Sequence, residues 1–213
     1  MDDLMKRLRM RSISALCYAL LVLTFMAGCM NVRGSETINS APVAKEQFAK
    51  RTVAVLPVKE QAALTTDSLL SLRVALNENL DNKIKEKLPD SKIMNTKTTV
   101  DILNSKGKLG LMDEIMRTYE GTGVFDKRMI ESLCDVLKSD YVVFSRLKAE
   151  KMAVGFISKG FGASIEVAIL RRSQQDIVWG GAGEYKRGGI FGLGTTENKE
   201  AAKELIQLAF EKF

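Results

Sequence analysis

The sequence predicts a single α/β domain built on a mixed five-stranded sheet, and three observations carry that expectation. Thr52-Val53-Ala54-Val55-Leu56-Pro57-Val58 is a nearly continuous apolar run with β-branched residues, the pattern of a strand buried on both faces. A long amphipathic helical period follows it. Late in the chain, three apolar segments joined by short connections read as an antiparallel meander, and a last amphipathic helix closes the order: β-α-β, helices, three-strand meander, C-terminal helix.

The elements follow from local chemistry. Pro57 is expected to end the first strand. Over 67–88, apolar residues recur at Leu69, Leu72, Leu76, Leu80 and Ile84 between Arg73, Asn77, Asp81 and Lys85, which is a helix stopped by Pro89. A short second strand over 91–94 is parallel to the first, because a β-helix-β unit crosses over right-handed. Thr98-Thr99-Val100-Asp101 has the look of a capping box opening a short helix that Gly107 closes. A helix is expected over 112–123, ending at Gly121 and Gly123, and another over 126–137 behind an Asp126 cap. The third strand starts at Tyr141-Val142-Val143-Phe144 and alternates into Arg146-Leu147-Lys148. The fourth covers 164–170 and the fifth 176–185, with Ile177, Trp179 and Tyr185 in phase. Gly180, Gly181 and Gly183 in that last strand signal strong twist, a bulge, or close approach of another backbone. Thr195-Thr196-Glu197 caps the final helix, which bears Ala201, Leu205, Ile206, Leu208 and Ala209.

The N-terminal segment has the layout of a secretory leader. Lys6, Arg7, Arg9 and Arg11 precede an almost uncharged stretch from Ile13 to Phe25, and Met26-Ala27-Gly28 stand before Cys29. The apolar stretch is shorter than the roughly 20 residues a bilayer span needs, so cleavage is expected rather than retention. Phe25-Met26-Ala27-Gly28-Cys29 resembles the lipobox of bacterial lipoproteins, with Met26 where that family more often has Leu. The resemblance implies signal-peptidase recognition through Met26, Ala27 and Gly28, and acylation of Cys29 as the first mature residue. Met30 after the cysteine, where inner-membrane retention in two-membrane bacteria typically uses Asp, implies the periplasmic face of the outer membrane, or the cell membrane of a single-membrane organism. The expected organisation is therefore a leader over 1–28, a flexible tether over 29–50 and a periplasmic α/β domain over 51–213.

Of the 213 residues, 32 are Lys or Arg and 26 Asp or Glu. The leader takes four of the bases and two of the acids, which leaves the remainder mildly basic at +4. With neither an arginine-rich arm nor a basic stripe with interleaved aromatics, this charge points to anionic envelope material or protein partners and not to nucleic acid. Cys17 lies in the leader and Cys29 would carry lipid, so Cys134 is the one thiol left and no internal disulfide is expected. Its helical spacing with Ile130, Leu133 and Leu137 marks Cys134 as a small buried hydrophobe.

Val53-Ala54-Val55-Leu56-Pro57 after a tether, Asp140-Tyr141-Val142-Val143-Phe144 after a helix and Asp176-Ile177-Val178-Trp179 in a late strand resemble the corresponding pieces of lipoproteins related to the TolB amino-terminal domain. That circle includes the curli-secretion channel lipoprotein and the outer-membrane activators of peptidoglycan synthases. The similarity covers roughly 52–213 and implies the fold together with an accessory or assembly role. The curli-type relatives build a barrel from extended strand pairs. Here a hairpin loop over 155–162 is expected to leave little room for crossing a membrane at about ten residues per strand. A ring of copies without a barrel is still allowed.

Catalytic candidates are few. The sequence has no His, which removes Ser-His-Asp and Cys-His catalysis and the commonest metal ligand. Ser105-Lys106-Gly107-Lys108 fits Ser-x-x-Lys, and Ser139-Asp140-Tyr141 echoes Ser-Asp-Asn, but Ser105 ends a helix where that chemistry needs it to open one. Asp113-Glu114 and Glu120 with Asp126 are acidic pairs at helix ends, where solvated carboxylates are ordinary. Gly188-Gly189-Ile190-Phe191-Gly192-Leu193-Gly194 precedes a helix but fits no phosphate-loop spacing. No cofactor and no metal site is expected. A noncatalytic envelope protein that docks on other envelope proteins is the expected class; the alternative is an envelope-acting hydrolase or transferase using carboxylates or Ser and Lys. In a meander, the connections after the third and fifth strands share one end of the sheet. Phe156, Ile157, Phe161, Ile190, Phe191 and Leu193 would gather there on glycine-rich loops as a contact with another protein or a lipid surface, or fold back as core.

Overall fold

The computed structural model describes residues 31–37, 43–62, 66–154, 158–172, 177–190 and 198–213. Its centre is β2 (Thr52–Val55), whose run of apolar side chains is buried to both sides: Val53 and Val55 join one core cluster, Ala54 and Leu56 the other. Pro57 interrupts this strand line by removing a backbone donor. The next donor is recovered, since Val58 N–H donates to Asn77 Oδ1 at 2.8 Å, and the chain then resumes as β3 (Lys59–Ala62) along the same neighbour. That neighbour is β5 (Tyr141–Val154), which pairs in parallel with β2 through Val53↔Tyr141 and with β3 through Lys59↔Arg146.

Helix α1 (Thr66–Lys87) buries Leu72, Leu76, Leu80 and Ile84, one side chain per turn, against the sheet. It carries the chain from β2 to its parallel neighbour β4 (Lys92–Met94). Helix α2 (Thr96–Ser105) begins behind Asn95, whose Oδ1 accepts from Thr98 N–H at 2.9 Å. The cap is thus three residues earlier than Thr98, and Asp81 of α1 takes the Thr96 N–H and hydroxyl as well. Helix α3 (Leu109–Thr122) ends at Gly123, whose φ of 73° is the left-handed termination glycine permits. Helix α4 (Lys127–Leu137) is capped as expected, with Asp126 Oδ1 accepting from Met129 N–H at 3.0 Å.

The remaining strands are β6 (Ser158–Arg171) and β7 (Ile177–Ile190), and α5 (Asn198–Ala209) follows. With the N-terminal β1 (Asn31–Thr37), the sheet has seven strands among the described residues, not five, in the order β1-β7-β6-β5-β2-β4 with β3 also on β5. Helices α1 and α5 cover one face; α2, α3 and α4 cover the other. The mixed α/β architecture is the expected one.

Two further expectations are corrected. The 29–50 segment is not a plain tether, because Asn31–Thr37 forms β1, antiparallel to β7 from Asn31↔Arg187 to Thr37↔Gly181. Farther on, Phe48 is fully buried with its ring centroid 4.6 Å from that of Tyr141, which docks a 3₁₀ turn (Lys45–Phe48) under the sheet. Backbone pairing and one aromatic hold this segment, and neither leaves a hydrophobic period to read. The loop expected over 155–162 also shrinks, since 158–162 belong to β6. Strands β5 and β6 are 14 residues each, so shortage of residues is not what argues against a membrane-crossing pair. Core burial does: Tyr141, Val143, Leu147, Ala163, Ile165 and Val167 are packed inside, which leaves 148–154 of β5 and 158–162 of β6, short of the roughly nine residues a spanning strand needs.

Candidate functional site

Strands β5, β6 and β7 run side by side for most of their length, and the helices do not cover them evenly. On the face toward α2, α3 and α4, Val142, Phe144, Ala168 and Leu170 are buried. One row farther along, the same face turns polar. Arg146 and Glu166 sit opposite each other in register and form a 2.6 Å ion pair, with the Arg146 guanidinium 5.9 Å from the Tyr119 ring centroid. Beyond that rim Lys148 is exposed, and Lys186 pairs with Glu184 at 2.5 Å.

On the opposite face α5 lies unusually close to β7. A Cβ at Gly181 would meet the Ala209 carbonyl oxygen at 2.1 Å, and one at Gly183 would meet the Leu205 carbonyl oxygen at 2.5 Å. Of the three meanings expected for these glycines, close approach of another backbone holds for both. A bulge holds nearby, where the pairing steps from Ile169↔Trp179 to Leu170↔Ile177. Trp179 packs between Phe210 and Phe213, with both centroid distances 4.8 Å.

The outermost rows of the sheet define the end where the contact residues were expected. Lys151, Phe161, Arg187 and Asn31 form one row, and Val154, Ser158 and Ile190 form the last. The connections after β5 and β7 thus leave the same end, as the meander argument requires. Phe161 and Ile190 lie on strands there and not in loops. Phe156, Ile157, Phe191 and Leu193 fall outside the described residues, as do Met26, Ala27, Gly28 and Cys29. What sequence reasoning missed is β1, which starts at this same end; its polar composition, Asn31-Val32-Arg33-Gly34-Ser35-Glu36-Thr37, is that of an edge strand and gives almost no alternation to detect.

The candidate chemical groups are dispersed. Cys134 is fully buried, and burial pushes its thiol up to about 11, although the adjacent Ser139 hydroxyl and Arg172 oppose the rise. Such a thiol is a packing group, since nucleophilic cysteines need the thiolate. Ser105 closes α2 and donates to the Ile102 carbonyl at 2.8 Å, whereas Ser139 is buried ahead of β5. Asp140 accepts from Thr52 N–H at 2.9 Å, and its carboxylate stands 3.5 Å from Arg51. Asp113 pairs with Lys59, Asp126 is a helix cap, and Glu114 and Glu120 are exposed. Gly188 and Gly189 belong to β7, paired with Gly160 and Lys159, so the glycine-rich stretch begins as strand. Desolvation raises the Asp81 carboxyl while its two hydrogen bonds from Thr96 lower it, which is the setting of a structural cap. Among the described residues no group of three His, Cys, Asp or Glu could hold a metal ion, and no helix is long and apolar enough to cross a membrane. A groove of about 560 Å³ between β1, α1 and α5 is lined by Gly34, Ser35, Lys83, Lys87, Glu204 and Gln207 among others, with both charge signs represented.

No family model and no curated protein matches the sequence. Solved structures with a similar arrangement include the PelC dodecamer from Paraburkholderia phytofirmans, 15% identical, covering 86% of this chain and 96% of that one with a TM-score of 0.43. Lipoprotein GNA1162 from Neisseria meningitidis is 11% identical over 65% of this chain and 83% of that one, with a TM-score of 0.38. The LpoB C-terminal domain from Salmonella enterica is 10% identical over 64% and 83%, with a TM-score of 0.33. At these values the likeness is one of fold, and no functional argument rests on it.

Proposed function

We propose that this chain is a noncatalytic, lipid-anchored envelope protein, held by Cys29 on the periplasmic face of an outer membrane. It serves there as an accessory or assembly factor that docks on other envelope proteins of secretion, export or cell-wall synthesis, with copies of itself among the allowed partners. The observation that carries the reading is Phe25-Met26-Ala27-Gly28-Cys29 directly behind a basic and then apolar leader. Acylation on several chains gives firm anchoring, because each buried CH₂ contributes about 0.8 kcal/mol. The noncatalytic part is supported by the sequence's lack of His and by the settings of the candidate groups, which serve as caps, ion pairs and core.

Mass spectrometry of the protein purified from membranes tests the anchor, with an acylated Cys29 at the mature N-terminus expected. Density-gradient fractionation should place the wild type with outer-membrane markers and release Cys29→Ser from them. A retained leader, or Cys29→Ser that stays anchored, refutes the anchor; wild type migrating with inner-membrane markers refutes the location.

A further inference from the structure

We infer that the end of the sheet bearing Asn31, Arg187, Ser158 and Ile190 faces the lipid bilayer directly, so that the long strands stand end-on upon it. The inference rests on the proposed acylation of Cys29 and deepens it by fixing which part of the domain meets lipid.

Three observations on the sheet lead there. The first is the reach of the anchor. β1 is hydrogen-bonded to β7 from Asn31 onward, so Met30 alone separates Cys29 from the sheet. Two extended residues reach at most about 7 Å. An acyl group on Cys29 is then held within about that distance of the Asn31↔Arg187 row, and the opposite end of β7 at Ile177 is on the order of 33 Å from that row at the usual rise per residue. A free tether would have allowed any face to meet the membrane; a strand does not.

The second is charge. The last four rows comprise Lys151 to Val154, Ser158 to Phe161, Arg187 to Ile190 and Asn31. They hold the bases Lys151, Lys159 and Arg187 and no acid. By the same count the four rows at the opposite end, Tyr141 to Phe144, Ala168 to Arg171 and Ile177 to Gly180, hold the single base Arg171 and no acid, and just outside them Arg172 is paired to Asp135 and Arg51 lies close to Asp140. Cations near an anionic lipid surface are attracted to it, whereas acids there are repelled. The third is composition. Met152, Val154, Phe161 and Ile190 place apolar residues in the same rows as the bases, the mixture an interfacial segment uses. The side of the domain carrying α2, α3 and α4 packs near the far end of these strands, through Val142, Phe144, Ala168 and Leu170.

The experiment uses the full chain, expressed with its leader, purified acylated and reconstituted into phosphatidylglycerol and phosphatidylethanolamine vesicles containing bromine-labelled lipid. Trp179 is the sole tryptophan and is replaced by Trp179→Phe. A reporter is then added at one end by Ser158→Trp or at the other by Arg171→Trp, and vesicle flotation and mass spectrometry confirm anchoring and acylation. Bromolipid should cause loss of fluorescence in the Ser158→Trp protein and leave the Arg171→Trp protein unquenched. Should Ser158→Trp fail to accumulate, Lys159→Trp in the adjacent row carries the same test. Equal quenching at both ends, quenching at Arg171→Trp only, or none at either end of an acylated, floated protein overturns the orientation while the anchor stands. An unacylated Cys29 overturns the anchor and the orientation with it.

Discussion

Adding a single methyl group at Gly181 should cost about as much stability as truncating a core side chain. The Cβ of Gly181→Ala would lie 2.1 Å from the Ala209 carbonyl oxygen and 2.8 Å from Cζ2 of Trp179. Carbon and oxygen ordinarily approach to about 3.3 Å, so α5 must retreat from β7 by roughly 1 Å. The atom in the way is helix backbone, which cannot rotate aside as a side chain would. The retreat opens a gap under Ala201, Ala202, Leu205, Ile206 and Phe210, all packed within the same core. A gap of 0.5 to 1 Å forfeits about a quarter to a half of each contact's dispersion energy. Overpacking typically costs about 1–3 kcal/mol and occasionally more. The loss of glycine's unfolded-state freedom returns only about 0.4–1 kcal/mol. We expect Gly181→Ala to lose about 3 kcal/mol and Gly183→Ala, whose obstacle is 2.5 Å away, about 2 kcal/mol. Gly110→Ala is the reference, because that position is helical with nothing within 4 Å of the added atom, and it should gain up to about 1 kcal/mol. Urea unfolding of the protein from residue 30 onward, followed by Trp179 fluorescence, reads all three. The close-packing argument is wrong if Gly181→Ala unfolds within about 0.5 kcal/mol of the wild type, or if Gly110→Ala loses as much.

Two further outcomes follow from single side chains. The folded-state value of the Cys134 thiol, about 11, lies above its ordinary 9.0, so the folded protein holds the proton more tightly. That contribution is complete below pH 9 and is lost as pH rises through 11; wild type should lose roughly 2 kcal/mol more than Cys134→Ala between pH 8 and about pH 10.5 in parallel urea titrations. Identical pH profiles would contradict the burial argument. Asp126→Ala removes the acceptor for Met129 N–H at the start of α4 and should lower stability by about 1 kcal/mol, with Asp126→Asn recovering most of it. If the asparagine variant is as weak as the alanine one, the carboxylate's charge and not the cap is what matters.

How much was legible in the sequence depended on whether side-chain pattern or backbone pairing held each piece. The β2 run, the period of α1 and the Asp126 cap of α4 were readable because burial and capping each demand particular residue types at fixed spacing. The burial of Cys134 was readable for the same reason, from its phase with Ile130, Leu133 and Leu137. Asn31–Thr37 was not, because an edge strand is held by backbone hydrogen bonds to β7 that any sequence can supply. The interruption at Pro57 was visible, but the resumption as β3 depended on Asn77, nineteen residues on, accepting the Val58 N–H. Gly181 and Gly183 announced that something needed room, and only the packed structure showed it to be α5. The same division governs the site. From its residues alone the chain offered Cys29 as an anchor to propose and gathered the strand ends by meander logic, since a leader pattern is local and connectivity is topological. The tertiary structure alone decided that Asn31 pairs with Arg187, and with that register, which end of the sheet the chain before Asn31 adjoins.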